Sequence, residues 1–237
     1  MWIVLFIAGL VGLLAVWEIW ICEGAHLGRR AVVFLYDLTA RRYERIKCFD
    51  PAWERQYLGE PFVRTLAGLH GARVLDAGAG SGRLARAVLP STAFHGVITH
   101  LDASRKLLQV GRELADSPQT HWVQGWAMPL PFSDSTFDAV SSLEMLEFTP
   151  RPRAVLHELI RVLRPGGWLL ITNRIGWRSR LILGRTFSPQ AFRSLLREAG
   201  LVSIDVYPWQ VEYDLAWGRK PYSDETRMQS KRAGVST

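Results

Sequence analysis

The 237-residue chain is predicted to fold as an α/β protein, a mostly parallel sheet with helices on both faces, preceded by one apolar N-terminal helix. Three observations predict this. From Ala72 onward, short apolar strand-like segments alternate with amphipathic helix-like ones. The first of these strands runs straight into a turn with glycine at Gly78, Gly80 and Gly82. Trp2 to Trp17 is unbroken apolar sequence.

In order along the chain, strands are expected near 72–76, 97–101, 120–123, 137–142, 167–172, 202–207 and 211–217. Helices are expected near 82–89, 104–115, 152–163 and 188–199. In the third helix Val155, Leu159 and Val162 join Leu156, Ile160 and Leu163 in one apolar face, which ends at Arg164-Pro165-Gly166-Gly167. Ser188-Pro189 opens the last helix with a capping side chain and a first-turn proline. Residues 31–70 also read as helical. There is no internal repeat and no second domain. The organisation is an anchor over 1–24, a helical linker or lid over 25–70, the α/β domain over 71–218 and a disordered tail over 219–237.

After Glu18 the apolar run resumes with Ile19, Trp20, Ile21 and Cys22. As a helix the stretch is about 30 Å long at ~1.5 Å per residue, the thickness of a bilayer's hydrocarbon core. Trp2, Trp17 and Trp20 fall near its ends, where indole rings favour the membrane interface. Glu18, one turn from the end, is expected to reach headgroups rather than stay in lipid. A cleaved signal peptide is the competing reading, but the basic n-region and a small-x-small cleavage site are missing. No Lys or Arg precedes Arg29, whereas Arg29, Arg30, Arg41, Arg42, Arg45 and Lys47 all follow the span. The positive-inside rule therefore predicts a single-pass membrane protein with a cytoplasmic catalytic domain. The same arginines suit an anionic leaflet, each contributing on the order of 1 kcal/mol near the surface.

Val74 and Leu75 lead into Asp76-Ala77-Gly78-Ala79-Gly80-Ser81-Gly82, and Arg83 to Val88 reads as the helix that follows. Alternate glycines let the backbone turn sharply and approach a ligand closely, with no Cβ in the way. A dinucleotide fingerprint needs a third glycine where this chain has Arg83, and a phosphate-binding loop needs Gly-Lys-Ser/Thr after the turn. Both are excluded on spacing.

The strand, the Asp-x-Gly-x-Gly-x-Gly turn and the helix resemble motif I of the class I S-adenosylmethionine-dependent methyltransferases. Gly96 to Ser104 resembles that family's second strand, which ends in an acid, here Asp102; a carboxylate there can accept both hydroxyls of a ribose. Met128 to Val140 resembles the run into the fourth strand, and Arg161 to Ile171 resembles the turn before the fifth. In this order the motifs look most similar to the type 11 methyltransferases, which include the quinone-biosynthesis C-methyltransferases. The resemblance implies a Rossmann-like seven-stranded sheet, its last two strands a reversed hairpin, and S-adenosylmethionine as cofactor. It implies Asp76 at the methionine ammonium, Gly78 and Gly80 beside the cofactor, and Asp102 on the ribose. Ala77, Ala79, Gly82, Ala103, Ala127 and Leu143 complete the implied cofactor set. Where the family has an Asp that contacts the adenine amino group, Gly125-Trp126-Ala127 offers Trp126, which either stacks on the adenine or fills the core. Tyr36 to Tyr43 resembles the segment that forms a lid in the quinone-type enzymes. Tyr43 then reaches the methionine end or, in the plainer reading, packs a helix against the sheet; Glu44 stands where the family has Asp.

Methyl transfer from a sulfonium is a direct displacement that needs alignment and exclusion of water more than a strong base. A missing catalytic dyad is therefore no argument against an enzyme. Ser141 to Phe148 follow the fourth strand, at the mouth where ligands of open α/β sheets sit. Glu144 and Glu147 share a face if this turn is helical. With Tyr43 they are the candidates for taking a proton from an acceptor or pairing with its ammonium. The alternative is that both carboxylates are solvated or paired with Arg151 or Arg153. His157 reads as a structural helix residue. His95, His100 and His121 lack metal-ligand spacing, and with Cys22 and Cys48 far apart no metal site is expected. Both cysteines read as reduced thiols. The net charge of +7 suits an anionic surface. No Lys/Arg cluster with interleaved aromatics points to nucleic acid.

The expected function is a membrane-anchored methyltransferase acting on a hydrophobic or lipid-like acceptor, whose local concentration the anchor raises. The competing readings are a catalytically inactive membrane scaffold of the same fold and a tethered methyltransferase of a soluble or protein substrate. Acceptor atom and oligomeric state stay open.

Overall fold

The computed structural model describes residues 1–225. Helix α1 (Trp2–Val16) continues as a π-helical turn over Trp17–Ile21. Together, Trp2–Ile21 is the one helix among the described residues long and apolar enough to cross a membrane, with mean hydropathy 2.3. Its far end is exposed, but its base packs on the rest of the chain: Cys22 and Ala25 are buried with Val32, Phe148 and Ile182. Here one expectation is corrected. Glu18 does not reach outward; it is buried, accepting the backbone N–H of His26 at 2.7 Å and of Leu27 at 3.3 Å, with His26 Nδ1 at 3.0 Å. The carboxylate caps the turn Ala25–Leu27, where Ala25 and Leu27 N–H also donate to the Cys22 and Gly24 carbonyls and the His26 N–H relies on Glu18.

The helical segment that follows comes in pieces: α2 (Arg29–Thr39), α3 (Tyr43–Lys47), α4 (Pro51–Glu54) and α5 (Glu60–Thr65). Asp50 caps α4 by accepting from Ala52 and Trp53 N–H, with Pro51 in its first turn.

Seven strands then form one sheet: β1 (Arg73–Ala77), β2 (Val97–Asp102), β3 (Thr120–Gln124), β4 (Phe137–Ser142), β5 (Leu163–Arg174), β6 (Val202–Gln210) and β7 (Tyr213–Arg219). Their order is β3-β2-β1-β4-β5-β7-β6, parallel except that β7 runs antiparallel to both β5 and β6. The expected final hairpin is thus present, with its second strand placed between β5 and β6. The helices between strands are α6 (Arg83–Val88), α7 (Arg105–Ala115), α8 (Pro152–Val162), α9 (Gly176–Ser179) and α10 (Pro189–Glu198). Ser188 caps α10 as expected, accepting from Ala191 N–H.

β5 begins earlier than its sequence suggests. Gly166 N–H donates to the Lys220 carbonyl and Lys220 N–H to the Gly167 carbonyl, so pairing with β7 carries the ladder through the Pro-Gly-Gly turn. The same contacts bear on the expected tail. Arg219 ends β7, and Lys220 Nζ donates to the carbonyl oxygens of Ile160 and Leu163 at the end of α8. Arg219 pairs with Glu225. Residues 219–225 are therefore tied to the domain, and the remainder of that tail, 226–237, lies outside the described residues.

Both sheet faces are covered, as a parallel sheet requires. One face, with Val74, Ile98, Ala139 and Leu170, packs on Leu58, Phe62, Leu84 and Val88. The other, with Leu75, Leu101, Val140 and Leu169, packs on Leu156, Leu159, Phe192 and Leu196. The whole predicted α8 face is in this second core.

Candidate functional site

The carboxyl ends of β1, β2 and β4 converge on a cavity of about 410 Å3. Its floor is the glycine turn, where Gly78 has φ +72 and a Cβ would lie 2.4 Å from Met145 Cγ. Only glycine fits there on both counts. Its walls include Asp102, Ala103, Trp126, Ala127 and Leu143; its roof is the inner face of α2, with Val32, Val33 and Tyr36. A smaller cavity adjoins it, sharing Tyr43, Gly78, Leu143 and Glu144, and adds Asp76 and Ala79.

Asp76 is held by its neighbours in the sheet. The register sets it beside His100 on β2 and Ser141 on β4, and His100 beside Trp122 on β3. Ser141 Oγ donates to Asp76 at 2.7 Å, His100 Nδ1 lies 3.0 Å from its other oxygen, and the imidazole stacks on Trp122 at 4.2 Å. A single row of side chains thus crosses four strands and fixes the carboxylate at the edge of the smaller cavity. In the sequence the signal for this role is an imidazole flanked by Ile98 and Leu101 in a strand of a sheet covered on both faces, where a polar side chain needs a buried partner.

Asp102 accepts the N–H of Gly80 at 2.8 Å and of Ser104 at 2.7 Å, one on each oxygen. Desolvation pushes its carboxyl up to about 6, against those two bonds. Each oxygen of this cavity-lining carboxyl retains acceptor capacity, the pattern a vicinal diol needs.

The residues predicted for the cofactor fall into two groups. Gly78, Gly80, Asp102, Ala103, Trp126, Ala127 and Leu143 line the larger cavity, and Asp76 and Ala79 the smaller. Ala77 and Gly82 line neither. Ala77 is fully buried in the core, and a Cβ on Gly82 would meet the Trp122 ring of β3 at 2.6 Å, so that glycine makes room for the indole. Trp126 does not fill the core; it is half-buried on the cavity wall with the Arg29 guanidinium 4.5 Å over its ring.

The two glutamates do not share a face, because helical geometry begins only at Leu146 and Glu144 has φ +52. Glu144 faces both cavities and pairs with Lys47 at 2.5 Å and Arg83 at 2.6 Å. Burial works against its charge, but the two cations hold its carboxyl below the ordinary range. Glu147 turns away into the interior, where Tyr213 donates to it at 2.7 Å. Burial pushes it up to about 6. Neither meets Arg151 or Arg153; Arg153 pairs with Glu198 instead. Tyr43 stands over Gly80, and burial pushes its phenol up to about 12.

A belt of ion pairs joins the N-terminal helices to the glycine turn. Arg83 forms a two-pronged pair with Glu54 at 2.8 and 2.6 Å besides its bond to Glu144. Glu44 accepts from Ser81 and Arg86, and Asp37 from Ser104. Arg83, which in the sequence opens the helix after the turn and excludes a dinucleotide fingerprint, is the hub of this belt. Both cysteines are free thiols, Cys22 buried and Cys48 exposed. Glu18, Cys22 and His26 bring ligand atoms within 4.8 Å of one another, a grouping the cysteine spacing did not foretell. The Glu18 oxygens in it already serve as the turn cap.

Residues 75–171 match a family model described as a methyltransferase domain. Over 153 residues the chain is 33% identical to a ubiquinone/menaquinone biosynthesis C-methyltransferase of Roseobacter denitrificans, covering 63% of this chain and 60% of that protein. Over 138 residues it is 34% identical to a demethylmenaquinone methyltransferase of Clavibacter sepedonicus, covering 58% and 55%. The chain thus spans little more than half the length of these curated relatives. A solved methyltransferase of Aquifex aeolicus superposes with a TM-score of 0.57 at 17% identity, covering 73% of this chain and 99% of that one, and so shares its fold. The chain carries a methyltransferase domain of the Rossmann-like, seven-stranded class.

Proposed function

We propose that this methyltransferase domain belongs to a membrane-anchored enzyme that methylates a hydrophobic acceptor, with a quinone precursor or another lipid as the substrate class. The observation that carries the reading is the cavity itself. A glycine turn and the acceptor pair of Asp102 lie on one side of it, and an apolar roof supplied by α2, the helix that leaves the candidate span, lies on the other.

The residues present fit S-adenosylmethionine. Asp102 would hold the ribose hydroxyls, Gly78 and Gly80 would lie along the methionine portion, and Trp126 with Ala127 and Leu143 would flank the adenine. Asp76 puts a carboxyl group beside the glycine turn, which suits a cationic ligand. When bound, the cofactor supplies a methyl group already activated as a sulfonium. The chain's part is alignment and exclusion of water. Val32, Val33, Tyr36 and Phe148 line the cavity with apolar and aromatic surface, which favours a flat, hydrophobic acceptor. Glu144 keeps its charge and its two cationic partners, so its role is to hold the α3 segment over the turn rather than to move a proton. Tyr43, protonated and standing over Gly80, is the group placed to donate a hydrogen bond to an acceptor oxygen.

Calorimetric titration of the full chain in detergent with adenosylmethionine and adenosylhomocysteine tests the cofactor assignment. Micromolar binding that Asp102→Asn weakens is expected. No binding by the folded wild-type chain would favour the inactive scaffold. With binding in hand, turnover of isoprenoid quinone precursors in lipid vesicles, against water-soluble phenols, tests the acceptor class.

A further inference from the structure

Helix α2 presents two faces with different surroundings. Val32, Val33 and Tyr36 point into the cavity. Arg30, Phe34 and Leu38, spaced i, i+4 and i+8, share an arc of about 80° on the opposite side, and Arg41 follows in the next turn. Phe34 is 65% and Leu38 70% exposed. A soluble surface helix places charged or polar residues on that face. Instead, large apolar side chains here stand outward between arginines. The segment after β5 repeats the composition: Trp177 and Leu183 are exposed, among Arg178 and Arg180.

Both elements are continuous with the base of the candidate span. Val32 of α2 and Ile182 pack in one cluster with Cys22 and Ala25. The Cys22 thiol donates to the Leu181 carbonyl, and His26 Nε2 lies 3.4 Å from that of Leu183. Arg30, Arg41 and Arg180 have no carboxylate partner among the described residues. Exposed aromatic and aliphatic side chains interspersed with unpaired arginines match the chemistry of the headgroup region of an anionic bilayer.

We propose that the outer face of α2 and the Trp177–Leu183 segment lie in the headgroup layer of an anionic leaflet, as a second membrane contact beside the span. The proposal rests on the reading of Trp2–Ile21 as membrane-spanning. It makes one helix serve as both the roof of the cavity and the floor of the membrane contact, so that an acceptor dissolved in lipid has only α2 between it and the site.

The test uses the full chain, in a Cys48→Ser background, reconstituted in vesicles of equal parts phosphatidylcholine and phosphatidylglycerol. A polarity-sensitive fluorophore is attached in turn to Phe34→Cys, Leu38→Cys and Leu183→Cys. Leu10→Cys reports on the span, and Val211→Cys, in the exposed β6–β7 turn, reports on water. Blue-shifted emission quenched by nitroxide lipids at 34, 38 and 183, with water-like emission at 211, is the expected result. Water-like emission at 34 and 38 with a lipid-quenched probe at 10 would overturn the second contact and leave the span standing. A water-like probe at 10 would remove the span and this proposal with it. Blue-shifted probes at 34 and 38 that nitroxide lipids do not quench, and that turn water-like on dilution to one chain per vesicle, would overturn it in favour of a second copy of the chain.

Discussion

Asp102 is the residue on which the cofactor assignment depends most directly. Its carboxyl titrates near 6, raised from an ordinary 3.8 by desolvation. The ligand-free fold therefore holds a proton there that the unfolded chain has already released, and this contribution to stability declines as pH rises from about 3.8 to 6. Binding of ribose hydroxyls runs the other way, because only the carboxylate offers a full acceptor set. Cofactor affinity should rise as pH passes upward through about 6 and then level off. Asp102→Asn should lower affinity by roughly tenfold or more, in line with ~1.5–3 kcal/mol for hydrogen bonds to a charged group, and should flatten this pH profile. Calorimetry across pH 5 to 8 checks both (an assay range of about three units around the shifted value). Asp76 makes a different case. Replacing its buried partner by His100→Phe removes the Nδ1 contact and should cost about 2 kcal/mol. In a chain of this size that is a fall of roughly 4–8 °C in Tm, with cofactor affinity also reduced because the carboxylate is no longer fixed.

At the scale of elements, the structure's most consequential feature is the ionic belt between the N-terminal helices and the glycine turn. Arg83 is buried between Glu54 and Glu144. Removing one partner of such a group leaves charge stranded in the interior, so Glu54→Ala should destabilise by about 3–5 kcal/mol, read by urea denaturation. Arg83→Met together with Glu54→Leu, which removes the charges on both sides, should cost clearly less, although Glu144 then relies on Lys47 alone. Glu144→Gln, which leaves Lys47 without its carboxylate and Arg83 with Glu54 alone, should also destabilise the fold and should loosen α3 over the turn. Its signature would be faster amide exchange across Tyr43–Lys47, with a raised KM and a smaller effect on kcat. The same belt explains why 31–70, which reads in sequence as one helical stretch, is broken into short helices. The breaks let acids and bases of three pieces reach the loops at the carboxyl ends of the strands: Asp37 of α2 meets Ser104, Glu44 and Lys47 of α3 meet Ser81 and Glu144, and Glu54 of α4 meets Arg83.

At the scale of the whole molecule, the apolar N-terminal helix and the domain are not independent bodies joined by a loose linker. Glu18, inside the apolar helix, caps the turn that leads into α2, and Cys22 and Ala25 are core residues of the junction. Glu18→Ala should strand the His26 backbone N–H at a cost of about 1–3 kcal/mol. The expected outcome is selective proteolytic cleavage between Glu23 and Arg30 at protease levels that leave the wild type intact, with residues 71–218 still resistant. If the junction were a flexible tether, the substitution would change nothing.

Much of this was legible in the residues alone. The alternating segments placed all seven strands to within a few residues, the longest discrepancy being β5, and the glycine turn marked the end of β1 as the edge where the cavity lies. Local rules suffice for these because periodicity, capping and glycine's positive φ act over a few neighbouring positions. The assignment of roles within the site was less legible. Ala77 and Gly82 sit in the right motif but face the core and Trp122, and Glu144 and Glu147, close in sequence, point to opposite environments. Their partners, Lys47 and Arg83 for one and Tyr213 for the other, come from far along the chain. The sequence by itself determined the α/β class, the order of its elements, the edge of the sheet where the cavity lies and the apolar N-terminal helix. Only the tertiary structure decided which carboxylates remain charged, which are buried, and that Asp76, His100 and Ser141 form one row. The physical reason is that charge and burial are set by groups distant in sequence, brought together by strand register and by the packing of α1 to α5 over the turn.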